Sequence, residues 1–167
     1  GSSTWIAGND HSFITQRSAG EPFTFTIISD SHLGQYGGQT ADEKALYEQT
    51  LQNVNADNPD FHIDLGDTFA MDPSPLGTGM TEAEADAAYY IQRPYLDALG
   101  GSVPFFFVLG NHENEEGWNF DDSFTSPDNS LAIVGLKARK KYFPNPVPDG
   151  FYTGNTDSLP AQFLAAY

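Results

Sequence analysis

Phe23-Thr24-Phe25-Thr26-Ile27-Ile28-Ser29 runs without interruption into Asp30-Ser31-His32. Its first seven residues are almost all aromatic or β-branched, a composition that packs well on a pleated surface, so they predict a strand over 23–29. The next three are chemically different. A carboxylate and an imidazole two residues apart can project to one side of extended backbone and reach a single cation. Two later stretches repeat the arrangement: residues 61–65 predict a second strand delivering Gly66-Asp67, and residues 105–109 a third delivering Gly110-Asn111-His112-Glu113.

Helix signals lie between these strands. Thr40-Ala41-Asp42-Glu43 has the form of a capping box, and predicts a helix to about Asp57 that buries Leu46, Leu51 and Val54 and is stopped by Asn58-Pro59. A second capping box, Thr81-Glu82-Ala83-Glu84, opens a helix reaching about Leu99, with Pro94 kinking or dividing it and Gly100-Gly101 ending it. Ser126-Pro127 suits the cap and first position of a helix through about Lys141. Residues 11–17 alternate weakly and read as a further strand before the Ser18-Ala19-Gly20 break. Strands alternating with helices predict an α/β fold, a parallel βαβαβ sheet with flanking helices and right-handed crossovers. The unbroken apolar run at 105–109 predicts a sheet covered on both faces. In such sheets chemistry collects just past the carboxyl ends of the strands.

A length of 167 residues fits one domain. The net charge of −16 excludes a general nucleic-acid binder, which needs clustered Lys and Arg, and argues against a polybasic membrane-surface protein. Disorder is the other reading of high charge, but 39% hydrophobic and 14% aromatic residues supply a core. Cysteine is absent, which removes disulfides, thiolate zinc sites and cysteine nucleophiles and leaves the redox compartment open. No apolar run reaches membrane length. Gly1-Ser2-Ser3-Thr4 fits either an expression scar or a cut downstream of a removed signal peptide.

The strand-end residues Asp30, His32, Asp67 and Asn111 form a mixed carboxylate, imidazole and amide donor set without sulfur. That set suits Mn, Fe, Zn, Ni or Co. Glu113 is expected to orient His112 or a ligand. Other polar residues have blander readings. His11 and His62 read as structural, Asp121-Asp122 as a solvated loop, and the basic cluster Lys137, Arg139, Lys140 and Lys141 as a complement to a helix C-terminus. Gly37-Gly38 and residues 71–80 either border the site or simply connect elements.

Asp30-Ser31-His32, Gly66-Asp67 and Gly110-Asn111-His112-Glu113, in this order on successive strand ends, resemble the first three motifs of the calcineurin-like metallophosphoesterases. The Gly-Asn-His-Glu string is specific; the other two gain weight from order and placement. The resemblance implies the N-terminal half of an αββα sandwich and hydrolysis of phosphate mono- or diesters. It also implies two divalent or trivalent metal ions and attack by a metal-bound hydroxide. Asp30 and His32 would ligate one ion, Asp67 would bridge both and Asn111 would ligate the second. His112 would be no ligand, but would face the phosphate and assist the leaving group.

Members of that family take further ligands from a downstream His and a Gly-His-x-His string. This chain has four His, of which His112 is the last, so the second ion keeps only Asp67 and Asn111. The expectation is therefore a phosphoesterase domain over 20–167 cut short at its C-terminus, with the missing part needed for a full site. The lead-in at 12–33 resembles a bacterial purple-acid-phosphatase-like branch. This makes residues 1–19 the tail of an upstream β domain or a linker, and points to a secreted or periplasmic location. Against true purple acid phosphatases, Ala70 stands where a metal-bound Tyr is required. The implied partner is a small phosphoester, with neither nucleic acid nor membrane. The rivals are a non-catalytic metal-binding or structural domain and a carboxylate-pair glycosidase; the latter leaves His32, Asn111 and His112 unexplained.

Overall fold

The aromatic and β-branched stretches form short strands that pair in parallel, because each of the first two is followed by a helix that carries the chain back to the start of the next. The computed structural model describes residues 7–33, 41–69, 81–99, 101–113 and 131–143. Strands β1 (Phe25–Ile28), β2 (Phe61–Asp64) and β3 (Phe105–Phe107) form one sheet in the order β1-β2-β3. Helix α1 (Ala41–Ala56) joins the first pair of strands, and α2 (Glu82–Gln92) with a 3₁₀ segment (Arg93–Leu99) joins the second. Helix α3 (Leu131–Tyr142) packs on α2. The fold is α/β with a parallel sheet and flanking helices, as the sequence predicts.

Local chemistry explains the boundaries. Thr81 caps α2: its hydroxyl accepts Glu84 N–H at 3.3 Å and its own N–H donates to Glu84 Oε2 at 2.8 Å. Pro94 divides the predicted long helix, since it lacks the N–H that Tyr90 would receive and its ring crowds that carbonyl. The chain tightens to 3₁₀ from Arg93 onward. Helix α1 ends at Ala56, and Asn58, with φ +48°, turns the chain out before Pro59. Residues 11–17 form no strand; Arg17 is tied instead to Asp60 at 2.7 Å. Thr40, Gly100 and Ser126-Pro127 lie outside the described residues, as do Gly37-Gly38, residues 70–80 and Asp121-Asp122.

Register decides which face is buried. Thr26, His62 and Phe105 pair across the sheet, as do Ile28, Asp64 and Phe107, and these face the helices. One buried cluster joins Leu33, Tyr47, Leu51, Val54 and Leu99 beneath Ile28 and Phe105. The other joins Phe69, Ala85, Tyr89, Val134 and Ala138 beneath Phe107. The alternate face behaves differently from the expectation of a doubly covered sheet. Phe25, Ile27 and Phe106 are 45%, 50% and 56% exposed, so among the described residues only one face is covered. Phe25 and Phe61 instead stack on each other, with ring centroids 5.3 Å apart. Helix α1 also departs from the expected stripe. It buries Tyr47, Leu51 and Val54, an i, i+4, i+7 set, and Leu46, one position off, turns outward at 71% exposure.

Two basic residues of α3 tie it to α2: Lys137 pairs with Glu82 and Lys141 with Asp86 at 2.7 Å, while Arg139 is buried. Among the described residues no helix is long and apolar enough to cross a membrane.

Phe69 touches Tyr89, Phe107 and Phe143 with ring centroids 4.7, 5.2 and 5.1 Å away. Phe69→Ala is expected to cost about 3–5 kcal/mol in urea unfolding, and Leu46→Ala less than about 0.5 kcal/mol. His62 is fully buried. Its Nδ1 lies 2.8 Å from Thr26 Oγ1, and its Nε2 has no partner among the described residues. Burial holds its pKa below the ordinary imidazole value, so the unfolded chain takes up this proton more readily than the native one. Its contribution to stability is therefore present near pH 7.5 and lost as the pH falls below about 6.5. Unfolding free energies at pH 7.5 and 5.5 should show a smaller drop in His62→Asn than in wild type.

Candidate metal centre

The polar residues gather because the ladder continues past the strands into their loops. Leu65 N–H donates to Ile28 O, Asp30 N–H to Gly66 O and His32 N–H to Asp67 O, each at 2.9 Å. Beyond these, buried Leu33 and Phe69 form an isolated parallel bridge. The segments Asp30–His32 and Gly66–Thr68 are thus pinned at both ends. They hold an unusual backbone: Asp30, His32 and Asp67 have φ of +56°, +47° and +54°. Left-handed conformations at non-glycine residues cost roughly 1–3 kcal/mol each and persist where the surroundings over-determine them.

The third loop arrives from β3 and packs directly on the second. A Cβ added to Gly66 would fall onto the backbone of Gly110, and one added to Gly110 onto Asp67 Oδ1 and N. Only glycine at both positions lets the loops approach this closely. The 3₁₀ turn Asn111–Glu113 then begins, and His112 N–H donates to Asp67 Oδ1 at 2.7 Å.

The result is a shallow polar centre. His32 Nε2 lies 3.5 Å from Asp30 Oδ1 and 3.8 Å from Asp67 Oδ2. The His32 and His112 rings meet edge to face, with centroids 4.5 Å apart. Ligand atoms of His32, Asp67 and His112 all lie within 4.8 Å of one another, a spacing that one cation can span. Asp30 stands on the open side, 63% exposed at its side chain, and its hydrogen bonds with Ser29 and then His32 hold its carboxyl below the usual carboxylate value. Asn111 is exposed at the start of the 3₁₀ turn. All five residues expected from the sequence therefore lie on the three strand-end loops. Four of them, Asp30, His32, Asp67 and His112, stand within a few ångströms of one another.

Beneath them lies a layer only partly foreseen. Glu113, expected to orient His112 or a ligand, acts through the backbone of the loops. It accepts the backbone N–H groups of Asp67, Thr68, Phe69 and Gly110 at 2.7–3.0 Å. Asp64 accepts Thr68 Oγ1–H at 2.7 Å and Gly66 N–H at 3.0 Å. Burial pushes Asp64 up to about 6 despite these bonds, with the Glu113 and Asp30 charges adding to the rise. Burial also raises Glu113, against the pull of its four N–H donors. The available signal for Asp64 was an acidic residue ending a short strand, two positions before the glycine.

The donor set fits a hard or borderline divalent cation: carboxylate oxygens, imidazole nitrogens and no sulfur. Of the Asp67 oxygens, Oδ1 is committed to the His112 backbone and Oδ2 is turned toward His32. Comparison with known proteins agrees with the geometry. A family model for calcineurin-like phosphoesterases matches residues 23–161, spanning all three loops. A search of curated proteins finds no match. The loops and the family match together make this chain a member of the calcineurin-like phosphoesterase family.

Proposed function

We propose that this domain hydrolyses phosphate mono- or diesters at a two-cation centre. One observation carries the reading: His32 lies 3.5 Å from Asp30 and 3.8 Å from Asp67, with His112 beside them, in a chain of the phosphoesterase family. Asp30, His32 and Asp67 would hold one ion, and Asp67 with Asn111 the other. Bound cations would supply Lewis-acid polarisation of the phosphoryl group and a more acidic water.

The chain's own residues do the rest. The −16 charge repels an anionic ester from the bare domain, and Asp30 and Asp67 concentrate that repulsion at the site. A phosphate therefore approaches only where cations offset these carboxylates. His112 has its backbone fixed by Asp67, so its ring is held beside the metal donors, where it donates a proton to the leaving oxygen. The resemblance of residues 12–33 to the purple-acid-phosphatase-like branch supports a placement there, with Ala70 setting the chain apart from the true purple enzymes.

A second reading, a metal-binding domain without turnover, is favoured by the grouping of donors: among the described residues, His32, Asp67 and His112 mark one cation position. Wild type stripped of metal and reloaded with Mn²⁺ is expected to hydrolyse p-nitrophenyl phosphate or its bis ester. Asp67→Asn should lose both Mn²⁺ binding and turnover. His112→Ala should retain Mn²⁺ and lose about 10²–10⁴-fold in turnover. Mn²⁺ binding without turnover in wild type selects the second reading. Loss of Mn²⁺ binding in His112→Ala makes His112 a ligand and removes its proposed role at the leaving group.

A further inference from the structure

Glu113 is fully buried, and its two oxygens divide their work between two loops. Oε2 accepts Gly110 N–H at 2.7 Å and Asp67 N–H at 2.9 Å; Oε1 accepts Thr68 N–H at 2.9 Å and Phe69 N–H at 3.0 Å. A single oxygen thus bridges the loop after β2 and the loop after β3, although Asp67 and Glu113 are 46 residues apart in sequence. The circuit closes through the site itself, because the Asp67 side chain accepts the His112 N–H.

We propose that Glu113 is a positioning residue that fixes the separation of the Asp67 loop from the Asn111–His112 turn and so sets the cation affinity of the centre. The inference rests on the cation-binding reading given above. Three physical points support it. Four N–H donors converge on one carboxylate, and only an ionised carboxylate offers an acceptor for each of them. Asp67 and Gly66 have φ of +54° and +96°, a backbone that must be held by its surroundings. The loops meet at Gly66 and Gly110 with no room for a Cβ, so a small slip of one displaces the Asp67 carboxylate relative to Asn111 and His112.

Glu113→Gln keeps the shape and changes the chemistry. The amide has one acceptor oxygen, and its NH₂ group faces two N–H donors, so either the link to Gly110 and Asp67 or the link to Thr68 and Phe69 is broken. Mn²⁺ titration by calorimetry, at a temperature where circular dichroism shows each protein folded, is expected to give about 10–100-fold weaker binding in Glu113→Gln than in wild type. Leu99→Ala, destabilised in the other core cluster, separates this from a general loss of stability and should bind Mn²⁺ as wild type does. Equal Mn²⁺ affinity in Glu113→Gln and wild type overturns the proposal, as does equal weakening in Leu99→Ala. Absence of Mn²⁺ binding by wild type overturns the cation-binding reading as well. If Glu113→Gln does not fold, hydrogen exchange in wild type decides. Mn²⁺ should slow the amides of Asp67, Thr68, Phe69 and Gly110 by a common factor, and a Gly110 amide exchanging independently of the other three overturns the proposal.

Discussion

Two peptide segments packed backbone against backbone, Gly66 on Gly110, set the geometry on which everything else at the strand ends depends. Side chains cannot mediate so close a contact, because a Cβ on either residue would overlap the other loop. The contact is therefore held from behind, by buried carboxylates. Asp64 takes the Gly66 N–H, and Glu113 takes the next three amides and that of Gly110. Every N–H from Gly66 to Phe69 ends on a carboxylate oxygen. This satisfies backbone groups that would be costly to bury unpaired, and turns the Asp67 side chain outward toward His32.

That solution carries an electrostatic cost. Asp64 and Glu113 are both buried, and both have their ionised forms disfavoured by loss of solvent; the Glu113 and Asp30 charges also raise the pKa of Asp64. Above this layer, exposed Asp30 and buried Asp67 add further carboxylates on the strand-end loops. A hydrophobic layer would avoid the repulsion but would leave the loop amides without acceptors. The arrangement becomes favourable when positive charge is added at the open side, where Asp30, His32 and Asp67 meet. The acidity of the whole chain and the chemistry of the centre thus have a common resolution, which is local and cationic.

Much of the fold was legible because its signals are local. The Thr81–Glu84 box caps α2 at the expected residue, Pro94 divides the helix where its missing N–H falls, and the three expected stretches form parallel strands. What was not legible depends on partners distant in sequence. Tyr47 is buried in place of Leu46 where α1 meets the 3₁₀ segment Arg93–Leu99, with its ring 5.9 Å from that of Tyr95, a partner that the helix's own sequence does not name. The aromatic run at 105–107 reads the same for a sheet covered on one face or two. Only the register, which puts Phe106 on the face of Phe25 and Phe61, shows that it alternates.

The candidate centre divides along the same line. Asp30, His32, Asp67, Asn111 and His112 were identifiable from residue type and position at strand ends, since a strand end fixes where the next few side chains can go. Glu113 was visible as a carboxylate in the right string, but its work was not, because it addresses backbone amides, and backbone amides carry no signature in sequence. A reading based on side-chain partners assigns Glu113 to the His112 imidazole or to a ligand. The structure assigns it to four N–H groups, three of them more than forty residues away. Asp64 shows the same principle from the other direction: an acid within a buried strand is unfavourable unless a nearby turn supplies donors, and the Gly66–Thr68 turn supplies two. In a site made from loops, candidate ligand-facing residues can be named from the sequence, whereas those that hold the loops are identified by where the backbone hydrogen bonds end.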